Sequence, residues 1–166
     1  MYLIFLKNVW CFPLCPIYLL HMHTLALFIT LAGFVIGHGA VTVIDCHGFF
    51  ARKSKYWTEA TIRTHRITKP LIWIGTLLVV IGLFAMHRLD MLSPFSVTLA
   101  YSLLAVMIIN GCFLTFIVSP ELLRREKEGM AREILPAPFQ KKIMFSFFVS
   151  LISWWSLLFI VCSNVT

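Results

Sequence analysis

The sequence predicts an all-α integral membrane protein, a bundle of four helices in two hairpins with both termini outside. Three observations carry that prediction. Of 166 residues, 60% are hydrophobic and 13% charged, against about 45–50% and about 25% in soluble domains. The apolar residues gather into four runs, at about 21–44, 70–87, 95–118 and 143–162. Each is near the roughly 20 residues that a helix needs to cross a bilayer. The basic residues gather into the loops between those runs.

Each element has its own signals. Residues 9–20 are apolar but broken by Pro13 and Pro16; with Lys7 they weakly imitate a signal sequence, without an A-x-A-like site. Residues 1–20 therefore read as a leader or an interfacial segment, or as a stretch ahead of a true start at Met22, followed by a four-helix domain over 21–166. The second run opens at Pro70, a favourable first helical position. The third follows Ser93-Pro94 and stops at Ser119-Pro120, and the fourth follows Lys141-Lys142. Thr58 to Thr68 and Pro120 to Glu133 carry charge at helical spacing and read as solvated helix ends, with a grip on anionic lipid headgroups as the other use of such charge. Small residues mark expected helix contacts, because close backbone approach drives packing in lipid: Gly33 with Gly37, Gly75 with Gly82, and Ser146, Ser150 and Ser153.

Charge sets the orientation and excludes one function class. Arg52, Lys53, Lys55, Arg63, Arg66 and Lys69 lie in the first long loop, and Arg124, Arg125, Lys127, Arg132, Lys141 and Lys142 in the second. Of the 14 Lys and Arg only Lys7 and Arg88 fall elsewhere. The positive-inside rule puts both loops in the cytoplasm. The net charge of +7 is split between loops, with no separate basic domain and no recognition motif, so no nucleic-acid partner is expected. The five cysteines have no pairing framework: Cys11 and Cys15 are close, Cys46, Cys112 and Cys162 far apart. No nucleotide loop, nucleophile elbow, C-x-x-C or H-E-x-x-H is present.

Ionisable groups in a membrane are costly and mark candidate sites. An outer group comprises His21, Met22, His23, Met86, His87 and Met91, whose imidazoles and thioethers suit copper, while paired histidines can hold haem iron. An inner group comprises His38, Thr42, Asp45, His47, Thr76, Asn110, Ser146 and Ser150. His38 and Asp45 share a helix face but stand about 10.5 Å apart along the axis. Asp45 has Arg52 or a loop lysine as a candidate counter-ion, and His47 points away from His38. His65, between Arg63 and Arg66, reads as a surface histidine, and Trp154 and Trp155 as packing or interface anchors.

Residues 21–162 resemble the small four-helix bacterial membrane proteins grouped around the copper-resistance D family and the HemJ-type protoporphyrinogen oxidases. The resemblance rests on His21 or His23 opening the first helix, Gly33, Gly37 and Gly39, His65-Arg66 with Pro70, Gly75 … Leu77-Leu78 … Gly82, Asn110-Gly111, Pro120 and Ser153-Trp154-Trp155. It implies a haem b or copper ligand at His21 or His23. The sequence departs from the HemJ type late in the first helix, which reads Gly37-His38-Gly39-Ala40 through Asp45-Cys46-His47, and in a third helix lacking a basic residue and histidine; porphyrinogen oxidation is not expected.

The leading expectation is thus a multi-pass protein of a bacterial inner membrane that binds haem b or copper for electron transfer or metal handling. Cofactor ligands are sought among His21, His23, His38 and His87, and metal ligands among His21, Met22, His23, Met86 and His87. The alternatives are a small transporter or proton conductor with a polar path through His38, Asp45 and Asn110, and a non-catalytic subunit of a larger membrane complex.

Overall fold

The computed structural model describes residues 15–164, with side chains from Tyr18 onward. The leader readings on Lys7, Cys11 and Pro13 lie outside the described residues. Helix α1 (Cys15–Gly33) passes through one π-helical turn (Phe34–His38) into α2 (Gly39–Ala51), forming a first rod. Helix α3 (Lys55–Arg88) is the second rod. Helix α4 (Pro94–Phe113), a second π-helical turn (Leu114–Val118) and α5 (Ser119–Lys127) form the third, and α6 (Ala137–Ser163) the fourth. Each rod is long and apolar enough to cross a membrane. The chain is an all-α four-helix membrane bundle.

The rods outrun the apolar runs at the basic end. The second does not begin at Pro70: Pro70 lies inside α3. A helix tolerates proline where neighbouring elements hold it, and α3 has a better start at Ser54, whose hydroxyl accepts from the Trp57 amide at 3.5 Å. The third rod does not stop at Ser119-Pro120; Pro120 falls in the first turn of α5, where its missing N–H costs nothing. Ser93 and Pro94 do open α4, with the Ser93 hydroxyl accepting from the Ser96 amide at 3.2 Å. Two helices end in left-handed caps. Gly129 (φ 76°) follows α5, and Asp90 (φ 55°) follows α3. In both turns the next residue's amide closes back five residues, Met130 to the Arg125 carbonyl and Met91 to that of Met86.

Every neighbouring pair of rods is antiparallel. Between the first two, Thr30 meets Gly82, Gly33 meets Val79 and Gly37 meets Gly75; at the turn the Thr58 hydroxyl donates to the Ala51 carbonyl. Trp73 bonds Thr115 and Lys69 bonds Ser119 between the second and third rods. The third and fourth meet at Asn110 with Ser146 and at Ser93 with Asn164. Phe34 and Trp154 join the fourth to the first. The result is an up-down-up-down ring, with contacts dense within each hairpin and thin between them.

The core follows the small residues. A cβ at Gly33 would stand 2.8 Å from the Gly75 carbonyl oxygen, and one at Gly37 would stand 2.7 Å from the Trp154 ring. Val79, Leu83, Met86, Leu157 and Val161 fill the space beside this seam. A second cluster of Ile62, Val118, Leu122 and Leu135 closes the basic end. There Arg132 bonds Glu59 at 2.8 Å and Arg66 bonds Glu126 at 2.8 Å. Outward, Phe28, Val35, Ile67, Ile109, Phe116, Phe145 and Phe159 stand exposed along the rods. On a soluble protein that much apolar surface would be anomalous; facing lipid it is expected.

Candidate ligand cavity at the basic end

All four rods part below the glycine seam around a partly open cavity of about 80 Å³. The first rod contributes Ile44, Asp45, Gly48 and Phe49; the second Thr61, His65, Lys69, Ile72 and Trp73. The third contributes Gly111, Leu114, Thr115, Val118 and Leu122, and the fourth Ile143, Met144, Ser146 and Phe147. The π-helical turn of the third rod thus lies in the wall. Such a turn widens a helix locally by one residue and recurs at functional sites. Gly48 and Gly111 keep two sides of the cavity shallow: a Cβ at Gly48 comes no nearer than 3.8 Å to Ile143, and one at Gly111 no nearer than 3.6 Å to Trp73.

Most polar groups in this wall are engaged. Trp73 Nε1 donates to Thr115 Oγ1 at 3.1 Å, and Ser146 Oγ donates to Asn110 Oδ1 at 2.7 Å while Asn110 Nδ2 donates to the Ser146 carbonyl at 3.1 Å. The Thr61 hydroxyl donates to the Trp57 carbonyl. Two atoms are not engaged: Asp45 Oδ2 and His65 Nε2 are buried without a hydrogen-bond partner. Lys69 Nζ donates only a long bond, 3.4 Å, to Ser119 Oγ. Among the described residues, neither Asp45 nor Lys69 forms an ion pair. Arg52, the nearest expected counter-ion of Asp45, lies instead over the Phe49 ring at 4.0 Å and donates to the Phe49 carbonyl. Burying a charge without a partner costs several kcal/mol, so Asp45 and His65 are the groups of this wall that stand out.

The inner candidates divide between this cavity and the region above it. Asp45 and Ser146 line it, and Asn110 is tied to it through Ser146. His38 is not there. Its ring packs edge-on to Trp155 at 4.8 Å and against Trp154 at 5.8 Å. It therefore meets α6 two turns above Ser146, about 12 Å along the axis. His47 packs on Trp57, away from His38. Thr42 and Thr76 donate to carbonyls of their own helices, and Ser150 is buried beside Ser146 and Ser153.

The outer candidates do not converge as a set. His21 and Met22 are exposed on α1. Met86 is fully buried, its sulfur accepting from Thr30 Oγ1 at 3.5 Å. His87 Nδ1 pairs with the Tyr101 hydroxyl at 3.3 Å. His23 and Met91 do share one shallow cleft, with Thr24, Leu27, Leu89, Asp90 and Asn164, and His23 Nε2 is buried without a partner. Among the described residues no group of three or more His, Cys, Asp and Glu side chains converges as a metal site.

His65, Lys69 and Trp73 are site residues that the sequence does not single out; His65 reads there as a surface histidine. They recur every four residues on one face of α3. Apolar run length puts the start of this helix at Pro70 and leaves His65 and Lys69 in the preceding loop, which hides the stripe. Comparison with protein-family models, with curated proteins and with solved structures finds no match to this chain.

Proposed function

We propose that this protein binds a small amphipathic molecule within the membrane, in the cavity at its basic end, as the substrate site of a small transporter. The observation that carries the reading is the pair of buried, unpartnered atoms, Asp45 Oδ2 and His65 Nε2, facing an otherwise apolar chamber. In this reading the basic loops face the cytoplasm, and the site is open to a ligand from that leaflet. Asp45 and the Asn110–Ser146 pair belong to the site, and His38 lies on the route above it.

The test is native mass spectrometry of protein purified in mild detergent, wild type against Gly48→Leu. Gly48 lines the cavity, and a Cβ there meets only the Ile143 side chain, at 3.8 Å, so a leucine has a clear point of entry. The wild type is expected to carry a non-covalent small-molecule adduct that the variant, with unchanged elution and helix content, has lost. An adduct held equally by both proteins, or by neither, overturns the reading.

A second reading keeps haem b or copper at the other end of the bundle, in line with the resemblance to the copper-resistance D and HemJ-type proteins. His23 supports it, through its unpartnered Nε2 and the thioether of Met91 in the same cleft. That donor pair suits cuprous copper. Oxidised and reduced absorption spectra, with metal analysis of the same sample, decide it: a blank spectrum without copper overturns it.

A further inference from the structure

We propose that the occupant of the cavity is a phospholipid with a zwitterionic, primary-amine headgroup, its phosphate on Lys69 and its ammonium between Asp45 and His65. The inference rests on the ligand-cavity reading above and adds the chemical class of the ligand.

Charge makes the selection. Asp45 on the first rod and Lys69 on the second line one chamber, yet they form no ion pair with each other or with another described residue. An anionic headgroup would satisfy Lys69 and leave Asp45 both unpaired and repelled. A cationic amphiphile would do the reverse, and a neutral one would answer neither group with an opposite charge. Only a molecule carrying both signs answers both groups. The amine follows from donor arithmetic. Asp45 Oδ2 and the free His65 Nε2 can both accept from N–H. A primary ammonium offers three such donors, whereas a quaternary ammonium offers none. The remaining wall, with Ile72, Trp73, Leu114, Met144 and Phe147, suits acyl chains. The chamber is partly open, so the chains can run on into the bilayer. Lys69 lies one residue before the apolar run that starts at Pro70, and a lysine at the edge of such a run commonly meets lipid phosphate.

The experiment is a lipid titration of the purified protein, read by native mass spectrometry, with dioleoyl-phosphatidylethanolamine, dioleoyl-phosphatidylglycerol and dioleoyl-phosphatidylcholine in competition. The ethanolamine lipid is expected to be retained about tenfold over the other two, which is what one hydrogen bond between charged partners supplies. Asp45→Asn should bring the ethanolamine and choline lipids to parity, and Lys69→Gln should lower retention of all three. Chain-free glycerophosphoethanolamine should not compete. Equal retention of the choline lipid by the wild type, or an ethanolamine preference untouched by Asp45→Asn, overturns the proposal; the first needs no variant to fold. If the headgroups are not distinguished but another small molecule is lost in Gly48→Leu, this inference fails and the cavity reading stands. If Gly48→Leu keeps whatever the wild type binds, both fall.

Discussion

Gly75 is where a single atom decides whether the bundle closes. Its Cα faces the Cα and amide nitrogen of Gly37, so an added methyl would fall on backbone rather than on a side chain that can turn away. Gly75→Ala is expected to cost about 1–3 kcal/mol, as overpacking of a tight core does. Gly39 supplies the control, because a Cβ there meets nothing within 4 Å; Gly39→Ala should lose no stability. Thermal unfolding in one detergent measures both, and equal melting temperatures for the two variants would remove the glycine seam as a determinant. Spacing alone pointed to Gly33, Gly37, Gly75 and Gly82, because backbone approach in lipid selects small residues and leaves their period in the sequence. His65 was harder to read, although Asp45 stands out as an ionisable group in an apolar run. An imidazole between two arginines looks solvated until the neighbouring rods are in place, and nothing local reveals that the arginines point elsewhere, Arg63 to Glu59 and Arg66 to Glu126.

The elements themselves carry two widened turns, Phe34–His38 and Leu114–Val118. A π-helical turn holds one residue more than the α-helix it interrupts, so removing one residue there restores a regular helix and keeps both flanks in register. Deleting lipid-facing Val35 should leave the Thr30–Gly82 contact and the Asp45 wall on their original faces. Deleting Val43, in regular α2, should turn everything from Ile44 to Ala51 by about 100° relative to α1 and swing Asp45 out of the cavity. Adduct retention and melting temperature are expected to survive the first deletion and to fall in the second; equal damage from both would show that the widened turn is not a spare residue. Helix existence was legible from apolar run length, and helix ends were not. The reason is physical: Pro70 and Pro120 break helices in water, but Pro120 lies where no N–H is needed and Pro70 is held within a rod already capped at Ser54. The π turns left no sequence signal beyond Gly33 and Gly37 beside the first.

At the scale of the whole molecule, the ring of antiparallel rods puts both long basic connections at one end and the 89–93 turn at the other. On a background without native cysteines, Ser54→Cys and Gly129→Cys are expected to resist a membrane-impermeant maleimide added to whole cells, while Asp90→Cys reacts; the reverse pattern would invert the orientation read from charge. The exposed ion pairs at the basic end, such as Arg66–Glu126, add little to stability, about 0–1 kcal/mol each. What joins the two halves of the ring is therefore the shared core around Val79, Leu83, Met86, Leu157 and Val161 with a few side-chain bonds, while each half is held by its own dense seam. This division has a consequence for biogenesis. The first two rods bring their complete glycine seam with them, so they can pair while the rest of the chain is still on the ribosome. The last two follow as a second prefabricated piece, and the chamber comes into being only when the pieces meet. A break in the peptide bond between Asp90 and Met91 should then be survivable, with the two fragments, coexpressed, copurifying as a complex that any occupant of the chamber helps to hold together.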